Sequence, residues 1–121
     1  MKLVFAIGLG SFLGGIFRYQ LSSFIQVKST TVFPLGTLIV NIIGCFLIGI
    51  VFGLFDKGQL SHEWRLFLAT GLLGGFTTFS AFSNETFMLF RDGHSIYALV
   101  YVLASVLLGL LATYVAYLIV K

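Results

Sequence analysis

The sequence predicts an all-α membrane protein of four transmembrane helices, and three observations carry that expectation. The chain of 121 residues is 59% hydrophobic and only 9% charged, whereas a soluble domain carries about 25% charged residues. So few charges cannot clothe a water-exposed globule, so lipid is the expected solvent. No charged side chain occurs from Ser29 to Phe55, from Leu66 to Asn84 or from Gly93 to Val120. Each run exceeds or approaches the roughly 20 residues that a helix needs to cross the hydrocarbon core. Finally, the segment from Leu3 to Ile25 is broken only by Arg18, which supplies a fourth span.

Taken in order, the helices are expected at about 3–25, 34–55, 64–90 and 96–120, as one transmembrane domain over residues 1–121. Lys2 before an apolar stretch resembles a secretory leader. However, Arg18 and Tyr19 fall where a small-residue cleavage site belongs, so the segment reads as a retained span. Pro34 suits the first turn of the second helix, where its missing N–H costs nothing. The connection "DKGQLSHEWR" (56–65) places Ser61 as an N-cap, Glu63 in the first turn and Trp64 in the interfacial belt. In "RDGHS" (91–95), Gly93 stops the third helix and Ser95 caps the fourth. His62 and His94 lie in these loops and read as solvated. The single cysteine, Cys45, lies in mid-span, which excludes an intrachain disulfide and fits a small buried hydrophobe.

Charge placement barely decides orientation. With four spans, Lys2, Lys57, Arg65 and Lys121 share one side, and Lys28 and Arg91 the other, joined by Arg18 if it snorkels. The positive-inside rule weakly places both termini in the cytoplasm. A bias this small is compatible with both orientations, as an antiparallel dimer requires. The net charge of +3 includes no basic cluster, so no nucleic-acid partner is expected. Among 14 glycines, the pairs Gly10/Gly14, Gly49/Gly53 and Gly71/Gly75 have the spacing that lets helix backbones approach closely. They are expected to serve packing within the bundle and also oligomerisation.

Polar residues within the spans are costly in lipid and therefore informative. Thr37 and Asn41 are one turn apart on the second helix, and Tyr101 and Ser105 are one turn apart on the fourth. A lone Ser or Thr is most simply bonded back to its own helix, an escape Asn41 lacks. Arg18 and Glu85 either neutralise each other or snorkel to opposite surfaces. The stretch "GGFTTFSAFSNE" (74–85) combines poor helix formers with hydrogen-bonding groups. It is expected to break the third helix near Gly74–Thr78, freeing backbone groups that protein, water or an ion must satisfy. Inward carbonyl oxygens suit a hard cation. Phe79 and Phe82, three residues apart, are core or lipid-facing side chains in the plainest reading. Alternatively, their positive ring edges face a small anion, with Ser80, Ser83 and Asn84 nearby to replace lost hydration.

The segments "GGIFRY" (14–19), "PLGTLIVNIIG" (34–44) and "GLLGGFTTFSAFSNE" (71–85) resemble the signature segments of the Fluc/CrcB fluoride channels, and the likeness extends over essentially the whole chain. The resemblance implies a fluoride-selective passive channel of the cell membrane that exports fluoride and reduces its toxicity. It also implies an antiparallel, dual-topology dimer with a structural sodium ion held by the backbone carbonyls of Gly74 and Thr77. By the same likeness, Phe79, Phe82, Asn41 and Thr37 line the pore, together with Ser80 and Ser83. Tyr101 and Ser105 match a weaker pore motif, Arg18 lies near a vestibule, and Glu85 is the motif's acid. Ala81 departs from the family's usual threonine. A homodimer is favoured, and a heterodimer with a paralogous chain is the alternative that Ala81 raises.

Two other functions fit the residues less well. A proton-coupled exporter of the small multidrug resistance type needs a carboxylate deep in the first span, where this chain has Arg18 and no acid. A non-transporting assembly factor leaves the intramembrane polar residues unexplained. The sequence contains no Ser-His-Asp arrangement, metal-ligand spacing or phosphate loop, so no enzymatic activity is expected.

Overall fold

The computed structural model describes all 121 residues as helices and short connections. Helix α1 spans Lys2–Lys28, α2 spans Leu35–Asp56, and α6 spans Ser95–Val120. Between α2 and α6 lies a composite third span. It begins as α3 (His62–Arg65), widens into a π-helical run (Leu66–Leu73), returns to α geometry in α4 (Gly74–Phe76), and resumes after Thr77 and Thr78 as α5 (Phe79–Arg91). The four spans are long and apolar enough to cross a membrane. Each extends one to three residues beyond the sequence estimate at one end or both, because polar residues such as Lys28 and Asp56 finish turns that begin in apolar surroundings.

Local signals explain most of the ends. The Ser61 hydroxyl accepts the Trp64 N–H at 3.2 Å, which makes it the expected N-cap. Gly58 and Gly93 have φ of 71° and 86°, a left-handed conformation that ends α2 and α5 at little cost to glycine. Two expectations shift by one residue. Pro34 stands just outside α2 with ψ of 71°, so it precedes the first turn instead of opening it. Likewise His94, and not Ser95, is the residue before α6, and neither side chain caps it. The start of α2 is capped from another helix. Gln26 of α1 accepts the Gly36 N–H through Oε1 at 3.1 Å and donates through Nε2 to the Phe33 carbonyl at 3.4 Å.

Packing is set by glycine. A Cβ on Gly10 would lie 2.7 Å from the Phe67 carbonyl oxygen, and one on Gly14 would overlap the Leu72 carbonyl. Gly71 and Gly75 press back against Ile7, Gly10 and Ser11 of α1. On the opposite side, Gly49 meets Thr113 and Ala116, while Gly53 meets Val120. All three glycine pairs therefore serve packing within the chain, as expected, and this close packing leaves none of them a free face for the oligomerisation also expected of them. The α2–α6 seam is closed at its end by Tyr117, whose hydroxyl donates to Asp56 Oδ2 at 2.6 Å, and by Lys57 Nζ donating to the Val120 carbonyl at 3.0 Å.

Only 19 of 121 residues are buried, and none of them is a polar or charged side chain apart from the phenol of Tyr101. One buried cluster gathers Leu38, Leu89, Ala98 and Tyr101, with Phe33 and Phe82 packed against it. The other holds Val51, Ala69 and Leu73. Many of the large apolar side chains of α1 and α6 face outward, as a bundle solvated by lipid requires.

The glycine seams can be tested by contrast. Gly14→Ala should lower the thermal stability of the purified protein, because its Cβ would collide with backbone that cannot yield. Gly8→Ala has open space around it and should leave the melting temperature unchanged or raise it, alanine being about 1 kcal/mol better than glycine in a helix. Equal melting shifts for the two variants would contradict close backbone packing at Gly14.

Candidate functional site

The third span breaks at two residues. Thr77 and Thr78 are extended, with φ/ψ of −91°/149° and −144°/126°. Gly74 and Gly75, which the sequence placed within the break, remain helical. Each threonine is held by a different device. The Thr77 hydroxyl and N–H both return to the Leu73 carbonyl, at 2.8 and 2.9 Å, finishing the upstream helix. The Thr78 hydroxyl accepts the Ala81 N–H at 3.3 Å, capping the downstream helix.

Asn41 then closes the gap. Its Nδ2 donates to the Thr78 carbonyl at 3.2 Å, and its Oδ1 accepts the Thr78 N–H at 3.1 Å. One primary amide thus satisfies both backbone groups of an extended residue, as a neighbouring strand would. In lipid this matters because no water is available to do it.

These bonds have a consequence for the carbonyls upstream. In an unbroken helix the Gly74 carbonyl would receive the Thr78 N–H, and the Thr77 carbonyl would receive the Ala81 N–H. The first donor is diverted to Asn41 and the second to the Thr78 hydroxyl. The Gly75 carbonyl, by contrast, accepts Arg18 Nε at 3.1 Å. Gly74 is exposed, and a Cβ there would meet nothing closer than 3.6 Å, so its backbone is approachable from outside the chain. A pair of released carbonyl oxygens fits a hard cation, which takes oxygen ligands.

Arg18 and Glu85 do not neutralise each other. Arg18 is spent on the Gly75 carbonyl. Glu85 accepts the Thr37 hydroxyl at 3.1 Å on Oε2 and the Tyr101 hydroxyl at 3.2 Å on Oε1. Tyr101 is wholly buried, its ring edge-on to Phe33 at 5.6 Å and 5.1 Å from Phe82. The pairs Thr37/Asn41 and Tyr101/Ser105 therefore do share faces, but the face members divide between two tasks: Thr37 and Tyr101 hold Glu85, while Asn41 holds the break.

Around the break lies a cavity of about 270 Å³ lined by Asn41, Cys45, Thr77, Thr78, Phe79, Phe82, Ser105 and Val106. Phe79 and Phe82 stand 5.7 Å apart, centroid to centroid, and Phe79 is 78% exposed. The buried Ser105 Oγ has no hydrogen-bond partner within the chain, which leaves a donor available to whatever enters. Ser80 bonds to the Thr78 hydroxyl at 3.2 Å and is exposed; Ser83 is exposed and lies outside this lining. Cys45, read as a core filler, shares this wall one turn beyond Asn41. That spacing was the signal for it.

Two further cavities meet at Glu85. One, of about 220 Å³, is lined by Ser22, Ser23, Gln26, Gly36, Thr37 and Glu85, without an apolar side chain. The other, of about 310 Å³, shares Gln26 and Glu85 and reaches Asp92 and His94 in the loop after α5. Together they form a vestibule on the Lys28 and Arg91 side, polar beside Glu85 and of mixed character toward the loop, where Val32, Pro34, Met88 and Leu89 also line it. Arg18 does not line it.

The family model described as CrcB-like protein, Camphor Resistance (CrcB), matches residues 5–117. A protein of Flavobacterium psychrophilum named fluoride-specific ion channel FluC is 44% identical, covering 100% of this chain and 98% of its own length. One of the same name from Aquifex aeolicus is 43% identical over 97% of this chain and 95% of its own. Another, from Thermus thermophilus, is 47% identical over 92% of this chain and 87% of its own.

The Asn41 clamp yields a structural prediction. Asn41→Ala strands the Thr78 N–H and carbonyl, which should cost about 1–3 kcal/mol per unsatisfied group. The melting temperature should fall, and amide exchange at Thr78 and Ala81 should accelerate. Exchange at those amides no faster than in the parent protein would show that something other than Asn41 holds the break.

Proposed function

The chain belongs to the CrcB family, and on that premise we propose that it is a fluoride-selective passive channel that lets fluoride leave the cell and so limits fluoride toxicity. It is a multi-pass membrane protein. The observation that carries the reading is the cavity at the break, where Phe79, Phe82, Asn41 and the unpartnered Ser105 hydroxyl gather at the middle of a membrane span. No cation lines that cavity, so an anion there is held by ring edges and neutral donors. Weak, distributed contacts of this kind allow entry and also release.

In this mechanism, the vestibule admits the anion toward Glu85. Each oxygen of that carboxylate accepts one hydroxyl, from Thr37 and from Tyr101, and these hydroxyls are the donors that an arriving anion competes for. Asn41 keeps Thr78 extended and thereby sets the position of Phe79 and Phe82 at the start of α5. Ser105 supplies a hydroxyl on the facing helix, and Ser80 and Ser83 border the outer side of α5.

The released Gly74 and Thr77 carbonyls are the ligands proposed for a structural sodium ion, which would supply fixed positive charge at the centre of an anion path. Two carbonyls are fewer than a hard cation takes up. A second, antiparallel copy related by a two-fold axis at the break doubles the set, and the approachable Gly74 and exposed Phe79 lie on the surface such a partner would cover. The near-balanced Lys and Arg distribution favours this dual-topology homodimer. Ala81 contributes its N–H to the Thr78 cap, a role that does not depend on its side chain, so the missing hydroxyl leaves the break intact. A paralogous heterodimer is the outcome to expect only if this chain alone proves inactive.

Liposomes containing this chain alone should release fluoride down its gradient without an imposed proton gradient. Dependence on a proton gradient, or competition by organic cations, would favour the exporter, since Glu85 is an intramembrane acid. Phe82→Ile should reduce efflux by at least about tenfold while leaving assembly intact; unaltered efflux would remove the aromatic pair from the path. Asn41→Asp should also block efflux, by replacing the donor to Thr78 with an anion beside the cavity. Normal conduction in that variant would separate Asn41 from the pore.

A further inference from the structure

Far from the break, the other end of the bundle has a groove that the channel reading does not use. It measures about 410 Å³ and runs between α1 and the start of the third span, lined by Ala6, Leu9, Glu63, Trp64 and Phe67. Trp64 and Phe67 meet edge to face at 5.8 Å and form one stiff wall. Leu9 and Trp64 are 57% and 58% exposed, so the groove opens outward. At its rim Glu63 pairs with Lys2 at 3.2 Å, and both side chains remain accessible, at 84% for Lys2 and 57% for Glu63.

The depth of the groove identifies its solvent. Lys2, Glu63 and Trp64 occupy the first turns of two spanning helices, where the hydrocarbon core gives way to headgroups and tryptophan is favoured. An acyl chain is the natural filling for a concave wall of Ala6, Leu9, Trp64 and Phe67 at that level. Its headgroup then lies against an opposed pair of charges. Lys2 offers a cation to a phosphate, and Glu63 offers a carboxylate to a cation that can donate hydrogen bonds. A primary ammonium one short linker from the phosphate meets both. A choline head has no N–H for Glu63, and a glycerol head has no positive charge.

We propose that the groove between α1 and α3 binds a phospholipid whose headgroup carries a primary amine. The site depends on the chain's membrane-spanning fold and not on what the channel conducts. In it, Glu63 selects the headgroup, Lys2 holds the phosphate, and the Trp64–Phe67 wall holds the acyl chain.

Delipidated full-length protein in detergent, titrated with phosphatidylethanolamine, phosphatidylcholine or phosphatidylglycerol of identical acyl chains, provides the test by native mass spectrometry. The ethanolamine lipid should be retained roughly three- to fivefold over the others, the discrimination that an exposed charge pair supports. Glu63→Gln should bring that ratio close to one without reducing phosphatidylcholine binding. Leu9→Trp, which fills the groove and leaves both charges in place, should reduce retention of all three lipids. Equal retention by the parent protein would overturn the proposal in favour of unselective annular lipid. A preference that survives both substitutions would place the selectivity elsewhere on the chain and overturn it equally.

Discussion

Everything around the break depends on the need to satisfy backbone groups where there is no water. An extended residue in mid-membrane exposes an N–H and a carbonyl, each costly to leave unpaired in hydrocarbon. Asn41 supplies both partners to Thr78 from a neighbouring helix. Thr77 returns to Leu73, and Thr78 caps α5 through its own hydroxyl. The break is thereby a structural element held at each of its N–H donors and not a local failure of helix propensity. Because these bonds capture the donors normally owed to Gly74 and Thr77, the same interactions that stabilise the break also release two carbonyl oxygens.

That arrangement has to be held at a fixed place in the bundle, and glycine does the holding. Gly10 and Gly14 bring α1 into backbone contact with the third span, while Gly49 and Gly53 do the same for α2 and α6. With no hydrophobic drive between helices in lipid, close van der Waals packing is the force available. Two rigid pairs result, α1 with the third span and α2 with α6, and Asn41 bonds across from one to the other. Arg18 adds a second link within the first pair by donating to Gly75. The π-helical run from Leu66 to Leu73 ends where α4 leads into the break, so the helix has already left regular geometry before it opens.

Much of the site was legible in the residue types. Asn41 stood out because an amide in mid-span needs a partner, and Thr77 and Thr78 because they follow two glycines in an apolar run. Glu85 was legible as an expensive group but not its partners. The sequence offered Arg18 as the obvious counter-charge, yet the two lie on surfaces that face different neighbours, and Glu85 is satisfied by neutral hydroxyls instead. The division of the Thr37/Asn41 face between an acid and a backbone was likewise invisible, since spacing reports a shared face and not what stands opposite it. The π-helical run has no residue signature in "LFLATGLL" at all.

By itself, the sequence determined the class of solvent, the number and approximate limits of the spans, and those stops and caps that act locally, at Gly58, Ser61 and Gly93. Those follow from hydrophobicity, charge and local backbone preference, which act within a few turns of chain. Only the tertiary structure decided that the glycine pairs are used up internally, that Gln26 caps α2 from another helix, and that the break expected near Gly74–Thr78 narrows to Thr77 and Thr78. The reason is that a backbone donor in lipid takes whichever acceptor packing brings within about 3 Å. Asn41 is 37 positions from Thr78 along the chain, and no local preference records that meeting.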